Sequence, residues 1–442
     1  MIKKLKNIFA KLFSISSMTK NVKICGELPT SKEAYNTTFK IALPSAIEAI
    51  LVSLIGSVDT IMVGGLGPNA IAAVGITNQP KFILLSLIFS LNVGVTAIVA
   101  RRKGQDDQEG ANSCLRQSII ISFAISIIMG FLGFVFARPI LLFAGAQSDV
   151  IDLATSYFKI IMISIVFSSL SLTINAAQRG IGNTKISMRT NIGANVFNLF
   201  FNYLLINGIW FFPTLGTNGA GIATLIGSIV GCIMSIKSLF RTNSFLYMHR
   251  HKSWKFDKQT IKALVNVGGS AMVEQVFMRV GFFSASKVVA LLGTVSFATH
   301  QICMNIINFS FAFGDGLSIA SSSLVGQSLG AKRPDMAMIY GKIGQRMAFC
   351  ISTVLFFMFI FGRKFIMSLF TKDPQIIALG GVILIIIALS THFQTSQTVI
   401  SGCLRGAGDT KFVAMTSFIS IGIVRPVLTY LLCIPLGIGL TG

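Results

Sequence analysis

Arg179-Gly-Ile-Gly-Asn-Thr-Lys185 is written again as Arg405-Gly-Ala-Gly-Asp-Thr-Lys411, a shift of 226 positions. The same shift carries Glu48 onto Glu274, Gly67 onto Gly293 and Gly104 onto Gly330 without a gap. The chain is therefore two copies of one unit, each a string of long apolar segments. Internal repetition of hydrophobic segments is how many secondary transporters are built, with the substrate path between the halves. Transport is the first expectation.

Composition sets the solvent. Of 442 residues, 53% are hydrophobic and 12% charged. The uncharged runs 117–137, 203–236 and 375–404 exceed the ~20 residues that cross a ~30 Å hydrocarbon layer. Lipid offers an open backbone no partner, and these runs lack the alternation of barrel strands, so they are predicted to be helices. The fold class is an all-α polytopic membrane protein.

The net charge of +22 is placed unevenly. Lys3, Lys4, Lys6, Lys11, Lys20, Lys23, Lys32 and Lys40 lie in or near the N-terminal tail. Further basic clusters fall at 101–103, Arg179/Lys185/Arg189, 237–262, Lys332/Arg333 and Arg405/Lys411. The connections between them, 64–69, 207–219 and 291–294, carry no basic residue. Alternation of this kind places the N-terminus in the cytoplasm of a multi-pass cell-membrane protein, although Arg138, Arg363, Lys364 and Lys372 fall on the other side. No basic face with interleaved aromatics marks a nucleic-acid-binding module.

The seven cysteines lack Cys-x-x-Cys spacing and read as small core residues. His249, His251, His300 and His392 give no metal-ligand spacing, so no metal site or cofactor is expected. Residues 1–37 carry no cleavable signal pattern and read as an amphipathic or disordered cytoplasmic tail.

Helices are predicted at 38–63, 69–101, 108–137, 149–178, 184–208 and 219–243, then at 260–291, 295–330, 335–369, 375–404 and 410–436. Glycines and prolines mark their ends. The organisation is a tail (1–37), a first lobe (38–243), a cytoplasmic linker (244–259) and a second lobe (260–442). Six helices face five, because the counterpart of 219–243 would begin where the sequence stops; a twelfth helix is expected to follow.

Four acids, Glu48, Asp59, Glu274 and Asp315, interrupt apolar segments. An intramembrane carboxylate is costly and marks an ion or substrate path, or else a salt bridge or protonated carboxyl that packs two helices. Glu48, near Lys40, fits the packing role. Glu274 has Arg279 and Lys287 on its own segment, at spacings of five and thirteen that make no good helical pair. Asp315 lies between Gly314 and Gly316, where a helix break would leave it capping amides. Asn198 and Asn202 share a helix face, with Asn191 and Asn195 nearby. They suit interhelical hydrogen bonding or, beside an acid, a small cation. The 17 methionines and 37 phenylalanines supply adaptable apolar surface, most of it for lipid or core.

From about residue 38 onward the chain resembles the multidrug and toxic-compound extrusion (MATE) family. The resemblance rests on Pro44, Val58-Asp59-Thr60 and Gly64, on Val325-Gly326-Gln327-x-Leu329-Gly330, and on the paired Arg-Gly-x-Gly-Asn/Asp-Thr-Lys loops. It implies twelve helices in two pseudo-symmetric six-helix bundles arranged as a V. It also implies export of cationic or amphipathic drugs in exchange for inward H+ or Na+. Asp59 matches the acid of the family's first-lobe cation site, and Tyr157, Asn198 and Thr224 match its companions. Asn202 stands where many members have a second aspartate, which leaves the coupling ion open between H+ and Na+. Glu274 matches the acid of a second-lobe site. Its usual tenth-helix partner is absent, and 390–397 offers only His392, Gln394 and Gln397.

The sequence thus predicts a monomeric antiporter in the lipid bilayer, exporting amphipathic, cationic small molecules by alternating access. The coupling cluster is Asp59, Tyr157, Asn198, Asn202 and Thr224, with Na+ possible at Asp59, Asn198 and Asn202. Glu274, Asp315, His392 and Gln394 are the second-lobe substrate candidates. A lipid-linked oligosaccharide flippase and a non-transporting receptor are the alternatives. An enzyme is not, since no nucleophile–base set or metal motif is present.

Overall fold

The computed structural model describes residues 13–19, 23–209, 212–240, 244–248, 254 and 256–441. Lys3, Lys4, Lys6, Lys11, Lys20, His249, His251 and much of the linker lie outside them, as does the side chain of Thr60.

Helices dominate. A short α1 (Ile15–Met18) precedes α2 (Ser31–Gly64), α3 (Pro68–Gly104), α4 (Gln108–Val135), α5 (Ala137–Phe143), α6 (Ile151–Gly180), α7 (Thr184–Asn207) and α8 (Gly216–Ser238). The second repeat gives α9 (Lys258–Ala290), α10 (Thr294–Gly330), α11 (Pro334–Ser368), α12 (Pro374–Ala407), α13 (Thr410–Ser417) and α14 (Arg425–Cys433). Between α13 and α14, Phe418–Val424 is π-helical. No described residue is in a strand.

The repeat extends to backbone angles. Gly67 (φ 105°) and Gly293 (φ 97°) open α3 and α10, and Gly182 (φ 85°) and Gly408 (φ 89°) end the two Arg-Gly-x-Gly loops. The two described non-glycine residues with positive φ, Asp106 (56°) and Lys332 (58°), are counterparts as well. Aspartates hold several helix starts: Asp107 accepts from Gly110 N (2.8 Å), and Asp257 accepts from Gln259 N, Thr260 N and Thr260 Oγ1 (3.2, 3.0 and 2.6 Å). A carboxylate there satisfies amides that have no partner inside the helix.

Nine described spans are long and apolar enough to cross a membrane, α13 to α14 (Thr410–Cys433) counting as one. The two long helices outside that set are α7, interrupted by asparagines, and α9, interrupted by Glu274, Arg279 and Lys287. Large apolar side chains point outward, Phe143 (97% exposed), Phe361 (82%) and Phe393 (80%) among them. Lipid, not water, suits such a surface.

The chain forms two bodies, Ile50–Met272 and Met1–Ala49 with Val273–Gly442. These differ from the repeat units at one place in each: the first half of α2 joins the body of the second repeat, and the first half of α9 joins the body of the first. Small residues explain the exchange. A β-carbon on Gly316 would sit 2.8 Å from Ala42 O and Ala46 N. In the other body, a β-carbon on Gly268 would sit 3.4 Å from Ser90 O, and one on Gly94 3.4 Å from Leu264 O. Gly316 and Ser90 are repeat counterparts, as are Ala42 and Gly268, so one helix approach is built twice.

Four expectations are corrected. The tail does not run to residue 37, since α2 begins at Ser31, and its described part is docked. Ile15 and Met18 pack on Ile339 and Ile343, Lys342 Nζ donates to Met18 O (2.7 Å), and Cys25 N donates to Asp335 Oδ2 (3.1 Å). The span 108–137 breaks at Phe136, and 410–436 is interrupted by the π-helical turn and ends as regular helix at Cys433. Asp315 caps no break, because α10 runs unbroken from Thr294 to Gly330.

Candidate functional site

Asp59 lies near the end of α2, within the body Ile50–Met272; α7 brings two amides to it, and α8 places Thr224 against one of them. Asn202 Nδ2 donates to Asp59 Oδ1 at 2.7 Å. Asn198 lies one turn earlier on the same face of α7. With its amide nitrogen toward the carboxylate, it donates to both Asp59 oxygens at 3.1 Å. Its oxygen then accepts from Thr224 Oγ1 at 3.2 Å. Gly227 makes this possible: a β-carbon there would lie 2.9 Å from Asn198 Cβ and 2.7 Å from Ala194 O, so only a glycine lets α8 approach α7 this closely.

Around this core the site is half dry. Asn198 and Asn202 are 6% and 1% exposed, and Asn202 Oδ1 is buried with no hydrogen-bond partner. An orphaned buried oxygen beside a carboxylate is a ready ligand for a hard cation. Tyr157 is buried on α6, its ring against the Gly221 backbone, and the Asp59 charge acts on it. The structure thus brings together Asp59, Asn198, Asn202 and Thr224 by hydrogen bonds, with Tyr157 within electrostatic reach.

One charged residue here was not among the sequence candidates. Lys81, in the apolar middle of α3, is partly buried and interacts electrostatically with Asp59. Its Nζ lies 5.2 Å from the centroid of the Phe82 ring. A lone base within an apolar run was the available signal.

The second-repeat candidates do not gather. Glu274, 3% exposed, forms an ion pair with Arg405, so its partner is neither Arg279 nor Lys287 at their unsuited spacings. Arg405 belongs to the Arg-Gly-x-Gly-Asp-Thr-Lys loop, which brings a base from another helix. His392 sits between the Phe349 and Phe356 rings (5.4 and 5.6 Å), with Nε2 3.2 Å from Thr353 Oγ1. That is packing between α11 and α12. Gln394 is half-buried with Nε2 unpartnered, and Asp315 lies on α10. The counterparts of Asp59, Tyr157, Asn198 and Asn202 are Ala285, Ile383, Val424 and Leu428. Only the first repeat carries the polar cluster. Among the described residues, no group of three or more His, Cys, Asp or Glu side chains could hold a metal ion.

Comparison with known proteins agrees with the repeat. The family model MatE matches twice, over residues 44–204 and 270–431. An uncharacterized transporter of Bacillus subtilis, YisQ, is 27% identical over 91% of this chain and 89% of its own length. A probable multidrug resistance protein, NorM of Thermotoga maritima, is 26% identical over 96% and 91%. The crystal structure of a mutant of the Vibrio cholerae MATE transporter VcmN superposes with a TM-score of 0.85 at 19% identity, covering 93% of this chain and 92% of that one.

Proposed function

Because this chain belongs to the MatE family of membrane transporters, we propose that it exports amphipathic, cationic organic compounds across the cell membrane in exchange for inward H+ or Na+. The cluster Asp59–Asn198–Asn202–Thr224 carries this reading, as a carboxylate held by amides inside one repeat of an apolar helical protein. A carboxylate in low dielectric favours neutralisation, either by a proton or by a bound cation. The two asparagines serve both outcomes. Their N–H groups hold the anion, while the free Asn202 Oδ1 supplies a further oxygen for Na+. Ion binding neutralises Asp59 and rearranges its hydrogen bonds. Exchange then requires only that ion and substrate favour different conformations. The basic connections read as cytoplasmic put the N-terminus inside.

The test is purified protein in proteoliposomes loaded with a fluorescent amphipathic cation. An imposed pH or Na+ gradient is expected to drive dye movement that collapses with an ionophore. Dye flux that ignores both gradients would remove antiport. Asn202→Asp, which adds a second acid, is expected to shift the ion dependence toward Na+; an unchanged dependence would remove Asn202 from the ion site.

A further inference from the structure

The second repeat holds a basic side chain in its membrane segments that the ion cluster does not use. Arg425 opens α14, and its guanidinium lies over the Phe282 ring of α9, 4.1 Å from the centroid. Its charge also acts on His300 of α10. All three side chains are half-buried.

A cation over an aromatic face is held without spending its hydrogen bonds. A guanidinium carries five N–H donors in a planar fork. Among the described residues, none of these donates a hydrogen bond, and no carboxylate lies within ion-pair distance of Arg425. An arginine inside a membrane is costly to keep, and one retained with its donors unspent marks a path or a ligand.

The backbone is shaped around it. Phe418–Val424, the π-helical turn, ends directly before Arg425, and such turns are frequent at functional sites. The turn is fixed against α9. The Phe277 and Phe418 rings meet at 4.4 Å, and a β-carbon on Gly281 would lie 2.9 Å from the carbonyl carbon of Ile421. The fold does not require this arrangement. In the first repeat the counterpart of the turn lies within the regular helix α7, and the counterparts of Phe282, His300 and Arg425 are Gly56, Val74 and Leu199.

We propose that Arg425, stacked on Phe282, binds the anionic group, carboxylate or phosphate, of the transported compound, so that amphipathic zwitterions are preferred over simple cations. This rests on the reading of the protein as an exporter of amphipathic compounds. A planar guanidinium takes a carboxylate through two parallel hydrogen bonds. Phe282 lies beside it, apolar surface for the rest of the molecule.

The experiment uses a zwitterionic xanthene dye with a free carboxylate and its methyl ester, a cation of nearly the same shape. Binding to the purified protein is followed by fluorescence anisotropy in an uncharged detergent. The wild-type protein is expected to bind the acid about tenfold more tightly than the ester, and Arg425→Gln to abolish that preference. Arg425→Lys, which keeps the charge but not the fork, is expected to retain part of it. A wild-type protein with no preference overturns the proposal, whether or not the variants fold, and so does an Arg425→Gln variant with the preference intact. A preference erased by stoichiometric phosphatidylglycerol assigns the site to a lipid headgroup and overturns the substrate assignment. Gradient-driven efflux of the ester, measured in parallel, separates the two readings. Efflux without preference for the acid sinks this site alone, and no efflux of either dye sinks both.

Discussion

At the scale of single residues, two acids set in apolar helices, half-buried Asp59 and buried Glu274, play unlike parts. Asp59 is held by amides, whereas Glu274 is held by a guanidinium. The Glu274 side chain is 4% exposed and that of Arg405 26%, so removing either leaves a charge stranded away from water. Breaking such a pair costs about 3 kcal/mol. Glu274→Ala and Arg405→Ala are each expected to lower the unfolding temperature in detergent. The double variant is expected to lose clearly less than the sum, since the second change removes a charge already stranded. Additive losses would mean that the two do not stabilise one another. Asp59, Asn198 and Asn202 were legible in the sequence because a polar side chain in an apolar run stands out. Arg405 was not legible as a partner, because it sits in a loop motif 131 positions from Glu274 and nothing local joins them. Lys81 is legible by the same rule as Asp59.

At the scale of elements, small residues decide which helices touch. A β-carbon on Gly406 of α12 would lie 2.8 Å from Ser322 Cα on α10, and one on Gly180 of α6 would lie 2.8 Å from Thr96 O on α3. Ser322 and Thr96 are repeat counterparts, so the two contacts are one contact made twice. Neither neighbour is a flexible side chain that can swing away. Gly180→Ala and Gly406→Ala are each expected to cost about 1–3 kcal/mol, read as a lower unfolding temperature in detergent. Unchanged stability in both would show that these helices pack more loosely than the geometry requires. The eleven long helical segments, taking 410–433 as one, and most of their ends could be read from glycine, proline and the apolar runs. The break at Phe136 and the π-helical turn could not: Phe136 is no breaker, and Gly422 within the turn looks like Gly94 or Gly227, which sit inside regular helices and break nothing. The docked tail escaped for another reason: Cys25 meets Asp335 across 310 positions, a distance no local pattern spans.

At the scale of the whole molecule, duplication sets the frame and the two copies diverge within it. Backbone angles, glycine contacts and the Arg-Gly-x-Gly loops repeat, while the polar cluster around Asp59 belongs to one copy and Arg425 to the other. The orientation proposed for that frame rests on its basic connections. In a background from which the exposed Cys25 and Cys350 have been removed, a cysteine at Asp106 is expected to react with an impermeant maleimide only from the cytoplasm, and one at Asn69 only from outside. Labelling of Asn69 from the cytoplasm would reverse the topology.

In the mechanism we propose, Asp59 is the point on which coupling turns. The most direct test is gradient-driven dye efflux from proteoliposomes carrying Asp59→Asn, compared with wild type at equal protein and over a range of pH. The expected result is a folded, monodisperse variant whose efflux no longer responds to either gradient, because an amide can neither take up a proton nor neutralise a bound cation. Efflux at the wild-type rate with unchanged pH dependence would show that Asp59 only packs helices and that coupling resides elsewhere.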